Sequence, residues 1–253
     1  MLTLEEDYRP HINPVSINVE TLLFLKDAID EYDLSSVLEF GSGVSTMFWS
    51  EYLIDGMVVS IENSRRYRKI TASRLNDNAA KTVVKFAPLR IMKLFNCHYI
   101  SYRINRWLKK EYSGQIFDLV LIDGPPGYLL AREATLLQSL PYIDSNTLIV
   151  LDDAERPEEK ETVKRWGDFL ELTDLQYHKV GKKEIATFRV DPLNRKSRDM
   201  AKVKTHSRSN MLKLFLTFHK RNIMHNLWLL KMSLLRREPY PDQKMPDDSI
   251  SDE

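Results

Sequence analysis

The sequence predicts an α/β fold on a mostly parallel sheet, and three observations carry that prediction. Short apolar runs rich in β-branched residues alternate with longer amphipathic stretches, as parallel strands alternate with their crossover helices. Several runs are apolar almost throughout, as strands covered on both faces must be. The last two, Asp174 to Val180 and Glu184 to Val190, are separated only by Gly181, Lys182 and Lys183, and so predict an antiparallel hairpin closing the sheet.

The first helix is predicted over Val19 to Glu31, where Leu22, Leu23, Leu25 and Ile29 make an apolar stripe. A strand over Ser36 to Phe40 runs into a glycine turn and a helix over Ser45 to Leu53. The second strand is Met57 to Glu62, and Ser64 is placed to cap the helix Arg65 to Asn76. Thr82 to Ala87 is the third strand, followed by a helix over Ile104 to Glu111. Phe117 to Ile122 and Thr147 to Asp152 are the fourth and fifth strands, with a helix over Leu129 to Leu140 between them. Pro157 suits the first position of a helix reaching Leu170. With the terminal hairpin, the prediction is a doubly wound sheet of seven strands.

A chain of 253 residues, 43% of them hydrophobic, holds one such domain and an appendage. The domain is expected over 1–191. A basic amphipathic helical extension over 192–238 and an acidic disordered tail over 239–253 follow it. Thirty-seven Lys and Arg balance thirty-six Asp and Glu, so overall charge gives no reason to expect a polyanion partner. Cys97 is the only cysteine, which excludes an intramolecular disulfide and any multi-cysteine metal site. Glu5, Glu6 and Asp7 stand where a secretory signal would be positive, and the expected compartment is the cytoplasm. The apolar piece Leu227 to Leu230 is far too short to span a bilayer.

Chemistry concentrates at three strand ends. In Val37 to Thr46 a strand meets Gly41 and Gly43 and then a helix, whose N-terminal N–H groups suit a carboxylate. Glycine turns alone also fit a dinucleotide, so an NAD-binding protein is an alternative. A dinucleotide fingerprint, however, wants a third glycine where Thr46 stands, and Glu39 would repel a pyrophosphate. For S-adenosylmethionine (SAM), Glu39 is expected to receive the methionyl ammonium. Glu62, ending the second strand, is expected to accept both ribose hydroxyls.

Together Val37 to Thr46, Val58 to Ser64, Phe117 to Gly127 and Thr147 to Arg156 resemble the class I SAM-dependent methyltransferases, over Asn18 to Val190. The resemblance implies a Rossmann-like fold and SAM as cofactor, held by Glu39, Gly41, Gly43, Ser45, Thr46, Glu62, Asn63, Asp123 and Gly124. Many members place an acid after the third strand to contact adenine. Here Ala87, Pro88 and Leu89 supply none.

Methyl transfer to an aliphatic hydroxyl calls for a base or a metal ion, and Asp123, Asp152 and Asp153 are the candidate catalytic residues. Their arrangement resembles metal-dependent O-methyltransferases, which implies Mg²⁺ at these three positions, although an asparagine is common where Asp153 stands. The competing reading makes Asp123 a base or cofactor ligand and Asp153 a helix cap. Arg132 and Arg156 either clamp an acidic substrate or pair with neighbouring acids. Tyr8, Arg9 and His11 are candidates for a lid. Gly124 to Tyr128 reads Gly-Pro-Pro-Gly-Tyr, unlike the Asn-Pro-Pro-Tyr of amino-nitrogen transfer, and favours oxygen in a small-molecule or glycan acceptor.

From Arg195 to Arg237 twelve Lys and Arg face the single acid Asp199, interleaved with Phe215, Phe218 and Trp228. Three readings fit this stretch: an extension that packs on the domain or forms a homodimer contact, a peripheral membrane helix, or a nucleic-acid contact. A non-catalytic binding module on the same fold is the alternative to an enzyme.

Overall fold

The computed structural model describes residues 8, 11, 16–53, 55–75, 81–125 and 132–196, and eight helical residues between 216 and 231. Helix α1 (Val19–Tyr32) starts where Asn18 accepts from the Thr21 N–H at 2.9 Å, and it buries Leu22, Leu25 and Ala28. Then come β1 (Ser36–Phe40), α2 (Val44–Tyr52), β2 (Met57–Glu62), α3 (Arg65–Ala72) and β3 (Lys81–Phe86). Next are β4 (Leu89–Leu94), β5 (Cys97–Tyr102), α4 (Asn105–Glu111), β6 (Leu119–Ile122) and α5 (Glu133–Ser139). The domain closes with β7 (Leu148–Leu151), α6 (Pro157–Phe169), β8 (Leu170–Val180) and β9 (Lys183–Arg195).

Seven strands form the predicted sheet in the order β3-β2-β1-β6-β7-β9-β8, parallel except for β9, which pairs antiparallel with both β7 and β8. Each central strand is buried along its whole length, and its residues alternate between two cores. Leu38, Phe40, Val120, Ile122, Ile149 and Leu151 face α4, α5, α6 and the β4–β5 hairpin. Val37, Leu119, Leu121, Leu148 and Val150 face α1 and α2. Chain order reverses between β1 and β6, where Phe40 pairs with Ile122. That reversal opens a crevice at the strands' carboxyl ends, the place ligands of open α/β sheets occupy.

Two features depart from expectation. The β4–β5 hairpin fills a stretch with no predicted strand, turning at Phe95 and Asn96, both with positive φ. Such turns are ordinarily announced by Asn-Gly or Asp-Gly, and Phe-Asn carries no such signal. Strands β8 and β9 are also longer than predicted, and β9 runs on past the expected boundary at 191 to Arg195. The tail over 239–253, Arg9, and the start of the helix predicted at Leu129 lie outside the described residues. Among the described residues, no helix is long and apolar enough to cross a membrane.

Candidate functional site

The crevice is built on two tips that meet back to back. Gly41 follows β1 with φ +103°, a conformation that side chains resist, and a Cβ there would lie 3.0 Å from the Gly124 nitrogen. A Cβ on Gly124 would collide with the Tyr102 hydroxyl. Gly43 differs: a Cβ there would meet nothing within 4 Å, so the start of α2 opens on free space. Its N–H donates to Thr46 Oγ1 at 3.0 Å.

Glu39 corrects an expectation. It lies on the β1 face shared with Val37, fully buried beneath α2, and accepts from the Thr46 and Ser60 hydroxyls, the latter at 2.6 Å. Burial pushes its carboxyl up to about 7 against the hydrogen bonds from Ser45, Ser60 and Thr46. It braces the turn from behind and offers no carboxylate to the crevice, so neither it nor the buried Thr46 stands at the surface a cofactor would touch.

Glu62 ends β2 beside the glycine turn. One carboxylate oxygen accepts from the Ser42 N–H at 3.0 Å and the Ser42 hydroxyl at 3.2 Å; the other accepts from the Ser64 N–H at 2.6 Å. Burial raises its pKa, and the bonds from Ser64, Ser42 and Asn63 work against that rise. A small, open cleft lies here. Ser42, Gly43, Ser45 and Asp123 line it, as do Tyr67, Ile70, Thr71 and Arg74 of α3 and its following turn. His11, a predicted lid residue, lines it too, with Ser16 and Ile17. Burial and the nearby Arg74 lower the His11 pKa.

Beyond the cleft, the three predicted aspartates converge, with one oxygen of each within 4.8 Å of the others. Asp152 and Asp153 are buried, whereas 18% of the Asp123 side chain is exposed. Burial and the Asp152 carboxylate push Asp123 well above the usual carboxylate range, and Arg132 opposes them. Arg132 is only 4% exposed and fully engaged. It donates to the backbone oxygens of Asp123 at 2.6 Å, Asp152 at 2.8 Å and Pro125 at 3.3 Å. It also reaches Asp123 Oδ1 at 3.2 Å and Asp153 Oδ2 at 3.0 Å. Of the two readings of Arg132, the pairing with neighbouring acids is the one the geometry favours: it is a buried tie between strand ends. Arg156, 43% exposed, pairs with Asp153 at 2.8 Å.

Lys183, read from the sequence only as a hairpin residue, closes the cluster. Its Nζ lies 3.0 Å from Asp152 Oδ2 and 3.1 Å from Asp153 Oδ1. Burial alone would lower its pKa, but Asp152, Asp153 and Asp123 outweigh it and raise it.

No protein-family model matches this chain, and no curated protein does. Solved structures do. An O-methyltransferase from Bacillus cereus in complex with S-adenosylhomocysteine (SAH) superposes with a TM-score of 0.53 at 16% identity, covering 74% of this chain and 90% of that one. A SAM-dependent O-methyltransferase from Thermotoga maritima gives 0.52 at 11% identity, over 78% and 74% of the two chains. An O-methyltransferase from Streptomyces achromogenes involved in tomaymycin synthesis, in complex with SAM, gives 0.50 at 16%, over 74% and 86%. The chain has the class I SAM-dependent methyltransferase fold.

Within this methyltransferase fold, Gly41, Gly43, Ser45, Glu62, Asp123 and Gly124 gather at the tips of β1, β2 and β6, and Asn63 follows Glu62. Sequence reasoning missed Ser42, Tyr67, Thr71 and Arg74. The spacing of Tyr67 and Thr71 by four residues on one face of α3, directly after the Glu62 tip, with Arg74 three residues on in the following turn, was the available signal.

Proposed function

We propose that this chain is a SAM-dependent methyltransferase acting on a hydroxyl oxygen of a small-molecule or glycan acceptor. The observation that carries the reading is the contact between the glycine turn and Glu62. It holds the Glu62 carboxylate, buried and accepting from Ser42 and Ser64, beside the open N-terminus of α2, whose N–H groups suit the methionyl carboxylate; ribose hydroxyls would take over the bonds that the Ser42 side chain now makes. Superposition on O-methyltransferases that hold SAM or SAH supports it.

Asp123 sits on the cleft wall next to this pocket, with a raised proton affinity that suits a general base. In the transfer, an acceptor hydroxyl gives its proton to the Asp123 carboxylate while its oxygen bonds to the methyl carbon. The carbon–sulfur bond breaks and its electron pair stays on sulfur, leaving SAH. Arg132 fixes the Asp123 main chain and one carboxylate oxygen, so positioning is prepaid. The three aspartates offer the hard oxygens a Mg²⁺ would use, but every one of them already faces a cation of the chain.

A thermal-shift assay tests the cofactor. Stabilisation by SAH and SAM with none by NAD is expected; stabilisation by NAD alone would overturn the reading.

A further inference from the structure

Three carboxylates within 4.8 Å, two of them buried and that of Asp123 partly exposed, carry the charge and donor type of a divalent cation site, yet two side-chain cations already bridge them. Lys183 spans Asp152 and Asp153, and Arg132 spans Asp123 and Asp153. Their two positive charges equal those of Mg²⁺. We propose that Lys183 and Arg132 hold the place of a divalent cation, so that the cluster is complete without metal and Lys183 is a positioning residue for it. A metal ion among the aspartates would need their oxygens in its own tight coordination shell and would stand against two like-charged groups. Arg132 cannot yield, because leaving would strand three backbone carbonyls it now satisfies. Lys183, 20% exposed at the start of β9, donates to one backbone carbonyl, that of Ser16, and is the member that a substitution removes at less cost.

The consequence for methyl transfer rests on the proposed function, but metal binding is read separately from it. The full chain is titrated with Mn²⁺ by calorimetry, with and without saturating SAH, alongside Lys183→Ala, Lys183→Gln and Lys183→Arg. Thermal melts establish that each variant is folded. Wild type and Lys183→Arg are expected to bind no Mn²⁺, whereas Lys183→Ala and Lys183→Gln bind it at least tenfold more tightly. Stoichiometric micromolar binding by wild type overturns the proposal, as does a folded pair of neutral variants that binds no better than wild type. Loss of SAH binding alone would count against the cofactor reading and leave the Mn²⁺ result standing.

The C-terminal extension presents a different surface. Leu216, His219, Lys220, Ile223, Met224, Leu227, Leu230 and Lys231 are helical and all exposed, and their spacing puts them on one face. Its five apolar side chains are 53–59% exposed, with Lys220 and Lys231 set among them on the same face. We infer that this face docks on an anionic lipid surface, burying the apolar stripe while the lysines meet the headgroups. Twelve basic residues against one acid over Arg195 to Arg237 supply the complementary charge. A nucleic acid would use the lysines but leave the stripe in water, and a second copy would set like charges against each other.

Flotation of the full chain with phosphatidylcholine vesicles, with and without phosphatidylserine, tests it. Binding only to the phosphatidylserine vesicles, weakened by salt, is expected. It should fall at least tenfold in an Ile223→Ser, Leu227→Ser, Leu230→Ser variant and in Lys220→Glu, Lys231→Glu. No flotation, or flotation indifferent to the serine changes, overturns the inference. So does a vesicle-free dimer in light scattering that the serine variant dissolves.

Discussion

The Ser42 N–H donates to the Glu62 carboxylate at 3.0 Å, joining the glycine turn after β1 to the end of β2. Twenty residues apart in sequence, the two belong to one wall because β1 and β2 pair in register, Phe40 against Ile61. The glycines of that turn should separate by role. Gly41→Ala must hold a Cβ at φ +103° against the Gly124 backbone, and unfolding in urea should show a loss of about 1–3 kcal/mol. Gly43→Val meets no protein atom at its Cβ and costs only a poorer N-cap for α2, so its stability should stay within about 1 kcal/mol of wild type, while SAH affinity drops at least tenfold.

Glu39 gives a pH dependence. Its folded pKa, about 7, lies above the ordinary 4.5, so the native state keeps this proton to higher pH than the unfolded chain. The resulting stabilisation is full below pH 4.5 and is lost as pH rises through 7. Between pH 5.5 and 8 wild type should therefore lose about 2 kcal/mol more stability than Glu39→Gln. Urea titrations of both proteins at the two pH values measure this, and equal losses would place the Glu39 proton elsewhere.

Arg132 and Arg156 touch the same aspartate with different burial. Arg132→Ala leaves Asp123, Asp153 and Glu159 without their buried partner and should cost about 3–5 kcal/mol by chemical denaturation. Lysine cannot reproduce the multi-point fork, so Arg132→Lys should recover little of it. Arg156→Ala, at an exposed pair, should cost less than about 1 kcal/mol.

Asp123→Asn keeps size and removes the base. Calorimetry should find SAH affinity within a few-fold of wild type, while turnover, followed as SAH released with an accepted hydroxyl substrate, falls about 10²–10⁴-fold. An undiminished rate would remove Asp123 from proton transfer.

How much was legible in the sequence follows from the range of the interactions involved. The boundaries of β1 and β2 coincide with those read from apolar β-branched runs, because burial on both faces leaves a continuous signature. Asp123, Asp152 and Asp153 were legible for the same reason, as acids ending such runs. The burial of Glu39 was available from period two, since it shares a β1 face with Val37 and that face is covered by α2. Lys183 was not available. It reaches Asp152 only because β9 pairs antiparallel to β7, with Ala186 opposite Leu151, and that register is set by the whole sheet. The β4–β5 hairpin escaped because its turn uses Phe95 and Asn96 in place of a glycine pair.

The central claim is that Glu62 and the glycine turn grip one adenosyl cofactor. Isothermal titration of SAH into wild type and Glu62→Ala, with thermal melts to establish folding, tests it most directly. Saturable binding by wild type is expected, weakened at least tenfold, about 1.4 kcal/mol, in the folded variant. Equal affinities in the two proteins, or no binding by either, would contradict it.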